Sequence, residues 1–270
     1  MSSNFKKSNR PIFYLTIISI AFLFFRHVVR DQDTAATFGL KTKRFHLTQS
    51  EIEALELHFP YYANLNSEAQ QEFRNRLAYF MANKRFIAYD GLELFGAMKA
   101  LLCAEAIKIT FGLKKFVLPH FRFIRIFPKD YYSKITKNYH KGEVDLRGSI
   151  TIAWSSFTEG IIDRYDGVNV AIHEFAHAVY FENFIKNKHY LFIDPRLLQE
   201  WNRLAELEIP QMKLNPDHFI RAYGSTNENE FFAVSTEHFF EQPVDFKAKH
   251  KELYELMTKI YNQDPAQFFV

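Results

Sequence analysis

The stretch DGVNVAIHEFAHAV, residues 166–179, decides how the rest of this chain can be interpreted. It sets the pattern H-E-x-x-H in an apolar run, and the Asp-Gly pair and the Asn before it are typical of a turn followed by a helix N-cap. In a helix, His173 and His177 lie one turn apart on the same face, so both imidazoles can bind a single Zn²⁺. Glu174 points about 100° further round the helix. This direction suits a general base for a metal-activated water better than it suits a third ligand. Because a chain with eleven histidines contains this pattern by chance in roughly a few per cent of cases, the pattern alone is moderate support.

A second informative stretch is ENEFFAVSTEHFF, residues 228–240. In a helix, Glu230, Ala233 and Glu237 share one face, and phenylalanines occupy the others. A solvated acidic stripe is the alternative, but the surrounding phenylalanines favour a helix that faces a metal. A hydrolytic zinc site needs three protein ligands and an open position. Glu230 and Glu237 are both candidates for the third ligand, and their spacing does not decide between them.

Composition limits the possible classes of protein. The chain has 270 residues, is 47% hydrophobic and contains 30 Phe and 14 Tyr, which predicts a large aromatic core. The single cysteine, Cys103, excludes an intrachain disulfide and a Cys-rich zinc site, and we expect it to be buried and unreactive. Residues 1–30 hold five basic and no acidic residues, which leaves 29 basic and 31 acidic residues in the remainder. With neither a basic patch nor a nucleic-acid motif there, we expect no nucleic-acid substrate.

The N-terminal segment predicts a membrane anchor. Residues 11–25 are apolar and uncharged, have basic residues on both sides, and can extend to residue 29. A cleaved signal peptide or an interfacial or buried helix is the alternative, although no clear cleavage site follows. Basic residues after the run slightly outnumber those before it, which favours a cytoplasmic body. The expected organisation is a basic N-terminus and anchor at 1–30, a linker at 31–44 and a folded domain at 45–270.

Within that domain the patterns predict an α+β fold that is mostly helical with a small sheet. Pro210 and Pro216 are expected to bound a loop, and His140 lies in a loop between two strands. We expect the strand at 149–154 to form the sheet edge, where an extended peptide could pair above the H-E-x-x-H helix. The predicted helices cover 48–58, 67–83, 92–110, 196–207 and 247–261, and the predicted strands cover 86–89, 121–127 and 149–154.

These motifs together resemble the Mlc titration factor A family of zinc-dependent peptidases, over roughly residues 45–265. The resemblance implies a zincin-like metallopeptidase domain with aminopeptidase-like or short-peptide activity. The residues that carry it are Ile172 to His177, Gly148 to Trp154, Ala222-Tyr223, Glu230 to Val234, Glu237 to Phe240 and Tyr261 to Pro265.

The resemblance also implies roles for single residues. Glu237 corresponds to the third zinc ligand and Glu230 to a residue that supports a ligand histidine. Tyr223 corresponds to a tyrosine that stabilises the oxyanion. His140 corresponds to a loop histidine that can act as an inhibitory fourth ligand. The segment between His140 and Gly148 is shorter than in the bacterial members, and the hydrophobic N-terminus is an addition.

Two functions follow from these observations. The first is a zinc metallopeptidase that hydrolyses peptide substrates. The second is a regulatory binding protein that sequesters a transcriptional repressor or another partner with little turnover. Glu174 favours the enzyme, because a structural metal site needs ligands but no general base.

Overall fold

A computed structural model describes residues 46–133, 137–185 and 191–269, which belong to one compact unit. Its α-helices are α1 (Gln49–His58), α2 (Pro60–Ala63), α3 (Ser67–Ala82), α4 (Gly96–Thr110), α5 (Trp154–Ile162), α6 (Val170–Glu182), α7 (Pro195–Leu214), α8 (Glu228–Glu241), α9 (Pro243–Lys249) and α10 (Lys251–Tyr261). Its strands are β1 (Arg85–Ala88), β2 (Phe123–Phe127), β3 (Tyr131–Ser133), β4 (Asn138–His140), β5 (Gly142–Asp145) and β6 (Ser149–Ala153). Short 3-10 helices cover Ala222–Ser225 and Pro265–Phe269. The predicted α+β class, mostly helical with a small sheet, is confirmed.

The main sheet has four strands in the order β1-β2-β6-β5. The first three are parallel, and β5 runs antiparallel to β6. The strand at 149–153 is therefore an interior strand, and the prediction that it forms the sheet edge was wrong. The edge next to it is β5, whose short sequence GEVD contains one apolar residue and so carries little strand signal. His140 lies on β4, which pairs with β3 in a separate hairpin, instead of in a loop.

Helix α6, which contains H-E-x-x-H, lies at the centre of the packing. It contacts α8, α4, β5 and β6. Its apolar side chains, from Ala171 and Ile172 to Val179, are fully buried on every side of the helix, as expected for a helix that is hydrophobic all round. The predicted N-cap is confirmed, because the side chain of Asn169 accepts hydrogen bonds from the backbone N–H groups of Ala171 and Ile172.

Most of the predicted helices exist, with three changes of boundary. The capping box of Thr48 and Glu51 is present at α1. Helix α4 begins at Gly96 instead of Leu92, and Asp90 and Gly91, with φ of 53° and 75°, form a turn before it. Helix α7 continues through Pro210 to Leu214. The C-terminal helix is divided at His250 into α9 and α10.

The core is aromatic, as predicted. Fully buried side chains include Trp201, Tyr254, Tyr261 and Phe175. Cys103 is buried and free, and burial raises the pKa of its thiol, which makes it a poor nucleophile.

The predicted localisation requires correction. Across residues 46–133, 137–185 and 191–269, none of the helices combines the length and the apolar character needed to cross a membrane. The predicted anchor, residues 11–29, and the linker, residues 31–44, lie outside the described residues. A membrane-anchored protein with a cytoplasmic body therefore has no support in the described part of the chain.

Candidate metal centre

Three donor atoms converge between α6 and α8. Nε2 of His173 lies 3.1 Å from Nε2 of His177 and 3.1 Å from Oε2 of Glu230, and the His177-to-Glu230 separation is 3.4 Å. Four tetrahedral ligands with bonds of about 2.0–2.1 Å stand about 3.3 Å apart from one another. The two imidazoles and one carboxylate therefore have both the chemistry and the spacing of three ligands to one zinc ion.

Glu237 lies behind this triangle instead of in it. Its Oε1 is 2.8 Å from Nδ1 of His173 and 2.5 Å from Nη2 of Arg221, and its Oε2 accepts a hydrogen bond of 2.6 Å from the backbone N–H of Asn169. Because a carboxylate only accepts, Nδ1 of His173 carries the proton and Nε2 is the atom that faces a metal. This is the usual carboxylate support for a ligand histidine.

The two acidic residues thus lie in the opposite arrangement to the one that the resemblance implied. Glu230 presents its carboxylate to both histidines, and Glu237, two turns further along α8, meets the start of α6. Spacing could not distinguish them, because residues seven apart share one helix face. Which of the two glutamates faces both histidines depends on the position of α8 along the axis of α6.

The protonation of the histidines follows from these contacts. Burial disfavours the imidazolium of His173, but hydrogen bonds to Glu230 and Glu237 outweigh this effect and raise the pKa of His173 to about 10. Burial lowers the pKa of His177. Nε2 of His173 thus faces both the carboxylate of Glu230 and Nε2 of His177.

Glu174 lies beside the edge strand β5 and is 5% exposed. Burial, with the nearby charges of Glu230, Glu237 and Glu143, raises the pKa of its carboxyl to about 8, against the opposing influence of His173. A Cβ built on Gly142 would lie only 2.5 Å from Oε1 of Glu174, so β5 passes directly over the carboxylate.

The structure brings Tyr223 close to His173 and places His140 on β4, opposite Tyr131. The ring of Tyr223 lies 5.8 Å from that of His173, and its pKa is raised by partial burial and by the carboxylates of the site, including a hydrogen bond to Glu230. The ring of His140 stacks on Tyr131 at 6.1 Å, and its nitrogens do not belong to the converging group. The inhibitory role of His140 stays a prediction.

Two positioning residues were not found from the sequence. Arg221 has its guanidinium on Glu237 and donates from Nε to the carbonyl of Gly167, 2.9 Å away. Gly142 leaves the space that Glu174 occupies. Neither belongs to a motif, since an arginine or a glycine in a loop or short strand carries no sequence pattern.

Comparison with known proteins now decides the family. The model of the glucose-regulated metallo-peptidase M90 family matches residues 31–262, which is most of the chain. The chain belongs to this family. Membership in the M90 family confirms the resemblance found from the motifs and suggests a metal ion, for which His173, His177 and Glu230 are a candidate group.

Several relatives of this M90 chain are similar over most of their length. The Mlc titration factor A of Salmonella agona is 25% identical over 233 residues, 78% of this chain and 85% of that protein. The Mlc titration factor A of Salmonella arizonae is 26% identical, over 78% and 90% of the two chains. A protein of Synechocystis sp. is 27% identical over 227 residues, 76% of this chain and 81% of that one. The family name indicates a metallopeptidase. The name Mlc titration factor A, which the two Salmonella proteins carry, indicates a regulatory role for those proteins.

Proposed function

We propose that this chain is a zinc-dependent peptidase with a zincin-like site, acting on short peptides or on the N-terminal residue of a peptide. The observation that carries the proposal is the convergence of His173, His177 and Glu230 beside the buried carboxyl of Glu174. A structural zinc site requires ligands only. A buried carboxyl with a raised pKa next to three ligands is typical of an acid–base residue.

The proposed ligands are Nε2 of His173, Nε2 of His177 and the carboxylate of Glu230. Glu237 orients His173, and Arg221 in turn holds Glu237. A bound Zn²⁺ would supply Lewis acidity that polarises a carbonyl and lowers the pKa of a water. Glu230 is the proposed third ligand in place of Glu237, because only Glu230 lies close to Nε2 of both His173 and His177.

Glu174 and Tyr223 supply the acid–base and hydrogen-bonding chemistry. Glu174 accepts a proton from the attacking water and delivers it to the amine of the leaving group. Tyr223 is 55% exposed at the mouth of the centre, so its hydroxyl can donate a hydrogen bond to the oxyanion of the substrate. Both residues act from fixed positions, on α6 and in the 3-10 helix before α8.

The edge strand β5 supports a peptide as the substrate. One side of β5 pairs with β6, and among the described strands none pairs with its other side. An extended peptide could add there by backbone hydrogen bonds and place its scissile bond over Glu174. Such pairing recognises a backbone instead of a particular side chain.

A second candidate is regulatory protein binding without turnover, which the name of the relatives favours. The two candidates are separated by measuring zinc content and hydrolysis of a panel of aminoacyl and short-peptide substrates on the full chain. A zinc ion that is lost in Glu230→Gln, together with metal-dependent cleavage by wild type, would support the peptidase. Zinc without cleavage, also in His140→Ala, would favour the binding protein, because that variant removes the predicted inhibitory ligand.

A further inference from the structure

A second group of metal-binding side chains lies away from α6. It consists of Glu208 on α7, His218 in the segment after α7, and His250 at the junction of α9 and α10. Nε2 of His218 lies 2.8 Å from Oε1 of Glu208, and Nδ1 of His250 lies 3.0 Å from the same oxygen. The two imidazole rings are 4.8 Å apart. Three donor atoms from three separate segments thus converge on one point.

The recorded ion pairs of Glu208 all lie within this group in the described structure. Within residues 46–133, 137–185 and 191–269, the ion-pair partners recorded for Glu208 are these two histidines, and neither a lysine nor an arginine pairs with it. Its side chain is 22% exposed, and those of His218 and His250 are 10% and 17% exposed. A carboxylate and two imidazoles that are mostly removed from water form a set of donor atoms that suits a divalent cation.

The backbone around His218 accommodates a metal-bound imidazole. Its Nδ1 lies 3.1 Å from the backbone N of Ile220 and 3.3 Å from the backbone O of the same residue. In one tautomer Nδ1 accepts from that N–H and Nε2 donates to Glu208. In the other, Nδ1 donates to the carbonyl and Nε2 presents a lone pair, which is how a ligand histidine is normally supported.

The donor set and its spacing select the class of metal. Two imidazoles and one carboxylate suit Zn²⁺, with a water as the fourth ligand at the exposed side. The separations of 2.8 and 3.0 Å need to widen by a few tenths of an ångström to reach the ~3.3 Å of a tetrahedral site. Rotation of two partly exposed side chains supplies such a change.

We propose that Glu208, His218 and His250 form a second zinc site, separate from the one between α6 and α8. The ion would join α7 to the α9–α10 junction and fix the segment that holds His218. That segment continues to Arg221, whose guanidinium lies on Glu237. The second site therefore stabilises the segment from His218 to Arg221, and through Arg221 it supports the first site. It needs no catalytic role.

The test is the zinc content of untagged full-length protein, stripped with a chelator, reloaded with Zn²⁺ and desalted. Wild type is expected to hold two equivalents. His250→Gln and Glu230→Gln are each expected to hold one, and the double variant none. His46→Gln, at an exposed histidine outside both groups, is the matched control and should hold two.

A thermal melt provides a second reading that does not depend on activity. In the Glu230→Gln background, Zn²⁺ at about 100 times its Kd should raise Tm by about 5–10 °C, and His250→Gln should abolish the rise. One equivalent in wild type that is unaffected by His250→Gln would overturn the second site. Loss of zinc with His250→Gln but not with Glu230→Gln would instead retain the second site and overturn the ligand set of the proposed peptidase.

Discussion

Arg221 and Glu237 form an ion pair in which Nη2 lies 2.5 Å from Oε1, the same carboxylate oxygen that lies 2.8 Å from Nδ1 of His173. The carboxylate is 2% exposed, and the guanidinium is 31% exposed. The partly exposed guanidinium of Arg221 is thereby connected through one buried oxygen to His173, a proposed zinc ligand. The pair fixes the tautomer and the orientation of His173.

We expect Arg221→Met to weaken zinc binding by about 10–100-fold without abolishing it, because it removes support for a ligand and not a ligand. The measurement is the zinc Kd of the α6–α8 site, in a His250→Gln background that removes the second proposed site. Arg203→Met is the matched control, since Arg203 pairs with Glu200 and Glu252 at the surface. Equal affinities for the two variants would contradict the role of Arg221.

The two glutamates of α8 should give different results. Glu230→Gln is expected to remove zinc from the first site, because it takes away a charged ligand. Glu237→Gln should retain zinc with a Kd raised about 10–100-fold, because it only weakens the support of His173. Zinc content and titration of both variants, in the His250→Gln background that removes the second proposed site, test this order. If Glu237→Gln loses the ion and Glu230→Gln keeps it, the assignment implied by the family resemblance is correct.

Glu174→Gln should retain zinc and lose hydrolysis by about 10²–10⁴-fold, the usual contribution of a general base. The amide occupies the same space but cannot accept the proton of water. Glu56→Gln, at an exposed position of α1, is the control for loss of one acidic charge. Wild-type turnover in Glu174→Gln would eliminate the proposed mechanism.

Gly142→Ala should reduce hydrolysis with little effect on zinc content. The added methyl group would lie 2.5 Å from Oε1 of Glu174, so that either the carboxylate or β5 must move. A displacement of this size at a reacting group costs up to about 10²-fold in rate. Kinetics, zinc content and Tm should be measured together, because a fall in all three would indicate a general loss of folding instead.

Glu241 should make stability depend on pH. It is 4% exposed, accepts a hydrogen bond of 3.0 Å from Nδ2 of Asn169, and its Oε2 has no hydrogen-bond partner among the described residues. Burial raises its pKa to about 8, with Glu105 and Glu237 also raising it and Lys108 lowering it. The folded state therefore binds the proton more tightly than the unfolded state, and the free energy of unfolding falls as pH rises from about 4.5 to about 8.

The neutral isostere Glu241→Gln removes this dependence. It should leave Tm nearly unchanged at pH 5 and raise it at pH 9, where wild type must either ionise a buried carboxyl or unfold. Thermal melts at the two pH values, with Glu56→Gln as the exposed control, measure the difference. A variant that is less stable than wild type at pH 9 would show that the carboxylate is well solvated or paired there.

Local sequence determined much of this protein, because helix caps and apolar periodicity act over a few residues. The pattern around His173 and His177 predicted a helix with two ligands on one face, and Asn169 predicted its start. The capping box at Thr48 and a strand at 149–154 were equally visible. The aromatic composition predicted the core, and the motifs together indicated the family.

Tertiary structure decided what depends on the relative placement of elements. Glu230 and Glu237 share one face of α8, and only the packing of α8 on α6 determines which of them faces both histidines. The edge strand is β5 instead of the expected strand at 149–154. Strand order depends on pairing between distant segments and not on local propensity. Arg221, Gly142 and the group at Glu208 carry no motif, since each acts through neighbours far away in the chain. Chemistry specified by spacing along one helix was readable from sequence, whereas chemistry specified by contact between elements required the folded molecule.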